Sequence, residues 1–231
     1  DSARGFVGQL PNLLQLPWAR YVLPTAASQG SGLRSWFSMG GPRAAGRAVE
    51  YTHHLVRQEL ARGASGDQIF VGGFSQGGCV AVQAALSFPD ARLGGCIAAS
   101  TFLGLGGQFM QGSTELSVDP INSRTPVLCV HGEADQVVPV ASGQDLVATL
   151  RAKGVPAELR TYPGMGHAYC AEEAADVAKF VERRVLVAGG GQPLQELSAR
   201  ELKALLVKEG ASTLGCFDKA DLLERARQVL A

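Results

Sequence analysis

The chain of 231 residues carries 21 basic and 21 acidic side chains and is 46% hydrophobic. It has apolar material for a sizeable core and no net charge, which excludes the strong basic field that draws a protein to nucleic acid or an anionic membrane. No apolar run approaches the ~20 residues of a membrane-spanning helix, so lipid contact would come through a substrate or an attachment outside the chain.

In chain order the pattern predicts a strand over Arg20 to Leu23, a helix from Pro42 to Arg62, a strand over Gln68 to Gly72 and a helix from Gln76 to Phe88. Strands over Leu93 to Ala99 and Pro126 to Val130 follow, then a helix from Val140 to Lys153, a strand over Ala157 to Tyr162 and a helix from Cys170 to Val187. Strand and helix alternate throughout, which argues for an α/β fold with a mostly parallel sheet. Pro42 suits a first helical turn and Gly63 a helix stop. Thr101 to Thr125 lacks periodicity. Its Phe102, Leu103, Leu105, Phe109 and Met110 among glycines fit an apolar wall or flap and fit a plain surface loop equally well.

Gly73-Phe74-Ser75-Gln76-Gly77 stands where the run Gln68 to Gly72 gives way to a helix. A serine on such a sharp strand-to-helix turn is thrust out of the fold as a nucleophile, and flanking glycines avoid collisions with neighbouring elements. In a chain with 29 glycines the motif alone is weak evidence. Its context strengthens it: a buried-strand pattern precedes it, and Val80, Ala81, Ala84 and Ala85 let the following helix pack close to a sheet.

Partners follow in the order nucleophile, acid, base. The strand Pro126 to Val130 runs into His131-Gly132-Glu133-Ala134-Asp135, and the strand Ala157 to Tyr162 runs into Pro163-Gly164-Met165-Gly166-His167. In a doubly wound sheet the strand carboxyl ends share one edge, so Ser75, Asp135 and His167 can converge there. His167 would take the Ser75 proton while Asp135 fixes its tautomer. As alternatives, Asp135 could cap the helix near Pro139, His131 competes for the base role and Glu133 for the acid. His53 and His54 read as surface or helix-packing residues, and Cys79 and Cys170 as packed thiols. Five cysteines, with Cys79, Cys96 and Cys129 in expected core elements, suit a reducing compartment such as the cytoplasm; a targeting peptide stays open.

The phrases Gly72-Gly73-Phe74-Ser75-Gln76-Gly77-Gly78, His131 to Pro139 and Tyr162-Pro163-Gly164-Met165-Gly166-His167, with Tyr21 to Ala26 and Ser35-Trp36-Phe37, resemble the acyl-protein thioesterase and carboxylesterase branch of the α/β-hydrolases. The resemblance covers about residues 1 to 187. It implies that Ser75, Asp135 and His167 form the triad, that the Gln76 backbone N–H is one oxyanion donor, and that Trp36, Phe37, Phe102 and Leu103 line an acyl pocket. The two aromatics Trp36 and Phe37 fit a core role equally. It further implies hydrolysis of carboxylic esters and thioesters, including S-acylated proteins and lysophospholipids, without metal or cofactor.

By the same resemblance, Asp1 to Phe6 align at or just beyond a loop that supplies the second oxyanion donor, and the strand before that loop is expected outside these residues. The expectation is a fragment of a longer protein, with turnover impaired by the ~10²–10³ that a lost donor costs.

Gly189-Gly190-Gly191-Gln192-Pro193 marks a linker between a hydrolase domain, 1–188, and a helical module, 194–231. In the module Ser198 and Glu201 form a capping box, Gly210 stops the first helix and a second begins around Phe217 to Leu222. This tail resembles a SAP-like helix-loop-helix, although Thr213 stands where the most similar version has the first cysteine of a Cys-x-x-Cys. Six basic and six acidic side chains over 194–231 favour a protein partner over nucleic acid. Two function classes stand: a serine esterase or thioesterase working through an acyl-enzyme, and a non-catalytic hydrolase-like protein whose tail recruits a partner.

Overall fold

A computed structural model of the chain describes residues 7, 9–28, 34–37, 42–103, 116–188 and 197–230. It divides into two compact units, Asp1–Phe180 and Val181–Ala231. The expected linker 189–193 and the middle of the expected flap, 104–115, lie outside the described residues.

Among the described residues the first unit has four parallel strands in sequential order: β1 (Phe70–Phe74), β2 (Gly95–Ala99), β3 (Val127–Gly132) and β4 (Ala157–Tyr162). Register runs Phe74↔Ala99, Ala99↔Val130 and Gly132↔Tyr162 at the carboxyl ends, so these ends form one edge. Helices α1 (Leu10–Leu14) and α2 (Pro42–Ala61) precede the sheet, α3 (Gln76–Ser87) connects β1 to β2, α4 (Val140–Ala152) connects β3 to β4, and α5 (Ala171–Ala188) follows β4. β3 is buried along its whole length, which fits its unbroken apolar reading. The core joins Val71, Cys96, Ala98, Val127 and Cys129 of the sheet to Ala81, Val82, Ala85 and Leu86 of α3 and Leu146, Val147 and Leu150 of α4.

The strand expectations change in several places: β2 begins at Gly95 rather than Leu93, and β3 runs on through Gly132 rather than ending at Val130. Arg20 to Leu23 forms no strand. Pro17 and Pro24 bracket it and cannot donate to a ladder, while Arg20 turns to an ion pair with Glu59 at 3.2 Å. β1 lies two residues later than Gln68 to Gly72, because Gly66–Gln68 is a 3-10 turn and the glycines continue the strand. A Cβ on Gly73 would sit 2.2 Å from the Gly77 carbonyl oxygen, so glycine there serves a close approach of strand and helix.

A polar knot without a sequence signature closes the connection from α3 to β3. Asn122, wholly buried, donates to the Phe88 and Ala91 carbonyls at 2.6 and 2.9 Å. It accepts from the Leu93 N–H at 2.9 Å and the Thr125 hydroxyl at 2.6 Å.

In the first turn of α5, Glu173 is 4% exposed and its Oε2 has no partner among the described residues. Burial pushes its carboxyl up from the ordinary 4.5 to about 7, against a backbone hydrogen bond at Cys170 that favours the charged form. Between those two values folding favours the protonated carboxyl, where the unfolded chain favours the carboxylate.

The second unit comprises the end of α5 with α6 (Ala199–Lys208) and α7 (Lys219–Leu230). Leu202, Leu205 and Leu206 pack against Leu222 and Ala226. Ser198 and Glu201 form a reciprocal cap, the Ser198 N–H donating to Oε2 at 2.7 Å and the Glu201 N–H to the serine Oγ at 3.3 Å. Gly210 leaves α6 at φ +68°, and Arg183 pairs with Glu209 at 2.7 Å. Asp221 caps the α7 entry by accepting from the Phe217 N–H at 2.8 Å, while Leu214 and Phe217 stand almost wholly in solvent.

Asn122→Ala is expected to lose about 3 kcal/mol in urea denaturation, since it orphans several buried backbone groups at once. Because the folded value of Glu173 is raised, its contribution to stability is full below pH 4.5 and falls as pH rises through about 7. Glu173→Gln should therefore match the wild type in denaturation near pH 4 and exceed it by about 2 kcal/mol near pH 8.

Candidate active site

Three of the loops leaving the carboxyl edge of the sheet, those after β1, β3 and β4, each bring one polar side chain to a common point. Ser75 follows β1 directly with φ 53° and ψ −122°, a backbone region unfavourable for any residue but glycine. Its side chain makes no cap for α3 and instead lies 3.0 Å from His167 Nε2. His167 Nδ1 is 2.7 Å from Asp135 Oδ2, whose other oxygen accepts from the Val137 and Val138 N–H groups at 2.9 and 2.8 Å. The three residues chosen by chain order thus form one continuous hydrogen-bonded line, although 60 positions separate Ser75 from Asp135.

Burial raises the Asp135 carboxyl, but the His167 hydrogen bond and the Val138 and Val137 N–H groups outweigh it and hold the group below the ordinary aspartate value. Asp135 is therefore an anion wherever His167 works as a base. The tautomer follows: Nδ1–H donates to the carboxylate, leaving Nε2 as acceptor for the Ser75 hydroxyl.

The competing residues take other places. His131 is buried; its Nε2 donates to the Val138 carbonyl at 2.8 Å and lies 3.5 Å from Asp135, bracing the acid loop from behind. Glu133 accepts from the Thr161 hydroxyl at 2.7 Å. His53 packs inside, its Nε2 2.9 Å from the Ala84 carbonyl and its ring edge-on to Phe88, whereas His54 faces solvent. None of the five cysteines is in a disulfide, and burial pushes the Cys129 thiol up to about 12. No group of three or more His, Cys, Asp or Glu side chains suited to a metal ion occurs among the described residues.

The pocket residues divide. Phe37 and Phe102 are buried in a cluster with Val49, Cys79, Val80, Ala84 and Val138, and half-buried Trp36 packs on it beside Gly77. Leu103 packs instead against the sheet core. Phe37 and Phe102 are thus buried, while Trp36, beside the helix start, and Leu103 are half-buried.

Four contributions carry no signal in the sequence, because their partners are remote in it. The Phe74 ring packs on the imidazole of His167 with ring centres 4.7 Å apart, and Tyr169 in turn meets Phe74 edge-on. The Gln76 side chain accepts from the Trp36 N–H at 2.7 Å and donates to the Phe37 carbonyl at 2.8 Å, tying that segment to the residue after the serine. Thr101 donates to the Ser75 carbonyl at 2.7 Å.

Chemically, the arrangement can deprotonate a hydroxyl and return the proton to a leaving group. The chain is 35% identical to acyl-protein thioesterase 1 of Gibberella zeae over 59% of its own length and 56% of that protein's. It is 33% identical to acyl-protein thioesterase 1 of Neurospora crassa over 71% of this chain and 70% of the other. The crystal structure of Arabidopsis thaliana SOBER1 superposes with a TM-score of 0.69 at 25% identity, covering 80% of this chain and 94% of that one, which makes the fold an α/β-hydrolase. The phospholipase/carboxylesterase description matches residues 10–185, a span that takes in the whole sheet, the serine turn and both partner loops, and the chain belongs to that family.

Proposed function

We propose that the protein is a serine hydrolase of carboxylic esters or thioesters, with Ser75 as nucleophile, His167 as general base and acid, and Asp135 as the anion that orients His167. The observation that carries this reading is the unbroken line from Ser75 Oγ through His167 to Asp135. In the first half-reaction the Ser75 hydroxyl gives its proton to Nε2 as its oxygen attacks the acyl carbon. The resulting oxyanion takes the Gln76 backbone N–H, and collapse expels the alcohol or thiol, which leaves with the proton from His167. Water then gives a proton to His167, attacks the acyl-enzyme, and releases the acid with Ser75 restored.

The acyl-protein thioesterases among the relatives support an S-acylated protein as substrate, with a lysophospholipid or small ester as the alternative within the same chemistry. None of the described helices is long and apolar enough to cross a membrane, and the buried thiols support a cytoplasmic site of action. For the helical pair we infer a protein-binding role, supported by Leu214 and Phe217, which are 87% and 94% exposed on a loop whose backbone is held by its own caps. That surface also fits the second reading, a non-catalytic hydrolase-like protein working through its tail.

A fluorophosphonate probe separates the two readings. Covalent labelling of the folded chain is expected, and Ser75→Ala should abolish it with an unchanged circular dichroism spectrum; a folded wild type that takes no label sinks the enzyme. Asp135→Asn should fold normally yet lose about 10⁴ in kcat in an ester hydrolysis assay, because an amide can stabilise the wrong imidazole tautomer.

A further inference from the structure

We infer that Thr101 is a positioning residue for the oxyanion donor, aiming the Gln76 N–H by holding the other end of the same peptide unit. The inference rests on the proposed hydrolase reading, and its own observations are geometric. Thr101 is 1% exposed and its hydroxyl donates to the Ser75 carbonyl at 2.7 Å. A peptide unit is planar and trans, so its C=O and N–H point in opposite directions and whatever fixes the Ser75 oxygen also fixes the Gln76 N–H. Donation to the carbonyl also polarises that peptide and strengthens its N–H as a donor. The Gln76 N–H, first in α3, has no partner within the helix and engages none of the described residues.

Three further features show that this contact is built. β2 ends at Ala99, whose carbonyl accepts the Ser75 N–H at 2.8 Å, so Ser75 is held at its N–H by the end of β2 and at its C=O by the loop that follows. Between those two contacts Ser100 adopts φ 43°, a left-handed conformation costly for a serine, while its N–H is fixed to the Val130 carbonyl at 2.8 Å. That reversal swings Thr101 under the serine turn. On the opposite side Gly78 makes room, since a Cβ there would come 2.7 Å from the Thr101 Cβ. The Ser75 carbonyl also accepts the Gly78 and Cys79 N–H groups at 3.0 and 3.3 Å, so losing the threonine hydroxyl does not orphan it.

The test compares Thr101→Val, which keeps the shape and loses the hydroxyl, with Thr101→Ser, which keeps the hydroxyl and loses the methyl, in the full chain. Hydrolysis of a p-nitrophenyl acyl ester is measured per active site titrated with fluorophosphonate, so misfolded molecules drop out. Thr101→Val is expected to lose roughly tenfold in kcat with KM changed by less than about twofold, less than the ~10²–10³ for removing a donor outright. The pH profile should keep its midpoint, because His167 and Asp135 are untouched, and affinity for a trifluoromethyl ketone that forms a tetrahedral adduct should fall in parallel with kcat. Thr101→Ser should recover most of both. Should the valine variant not fold, Thr101→Ala against Thr101→Ser makes the same comparison of hydroxyl absent and present. A hydroxyl-free variant with wild-type kcat per titrated site overturns the inference, as does a serine variant equally impaired. A wild type that neither hydrolyses nor labels overturns the hydrolase reading, and this inference with it.

Discussion

Everything at the candidate site depends on one unfavourable backbone conformation, the left-handed turn at Ser75. Holding a non-glycine residue there costs about 1–3 kcal/mol, and the surrounding structure must supply it. It does so from three directions: the β1–β2 ladder continues one residue past the strand through the Ala99 carbonyl, Thr101 grips the Ser75 carbonyl, and the first turn of α3 adds two N–H groups. Each contact requires close approach. Gly73 and Gly78 permit it at the turn, and the small residues Ala81, Ala84 and Ala85 let α3 lie tightly on the sheet. The serine is exposed to chemistry because its backbone is over-determined.

The second constraint is topological. Parallel strands deliver every outgoing loop to one edge, which turns long separations along the chain into hydrogen-bond distances. Register keeps the delivery level: Phe74, Ala99, Val130 and Gly132 stand within two residues of their loops. The acid loop is shaped locally as well, with Asp135 turning back to accept from residues 137 and 138 and His131 bracing Val138 from inside. The aspartate's turn-forming reading and its reading as partner of His167 are thus both realised, through different oxygens of one carboxylate.

This division explains what the sequence could disclose. Alternation of strand and helix, the serine turn and the order of the polar loops are local patterns, and the elements Pro42–Ala61, Gln76–Ser87 and Ala157–Tyr162 lie within a residue of where periodicity puts them. The glycines at 72 and 73 misled, because locally they read as the end of a strand, while both lie inside β1 and Gly73 is there for a helix backbone packed above it. Tyr21 and Val22 read as a strand by composition, yet no ladder receives them. Asn122, Thr101 and Phe74 were silent for a different reason: each acts through partners distant in sequence, and an ordinary asparagine, threonine or phenylalanine announces nothing about what it will meet. The pocket aromatics divided similarly, since hydrophobicity alone does not distinguish a wall of the core from a wall of a cavity.

Gln76 shows how little a motif's notation says about freedom. In G-x-S-x-G the position after the serine is written as open, since any residue supplies a backbone N–H. Here its side chain forms two strand-like hydrogen bonds to a segment about 40 residues earlier, one accepted and one donated, as only a primary amide of that reach can. For this chain the degenerate letter is effectively fixed, because the Gln76 amide ties the segment bearing Trp36 and Phe37 to the serine turn as one mechanical unit.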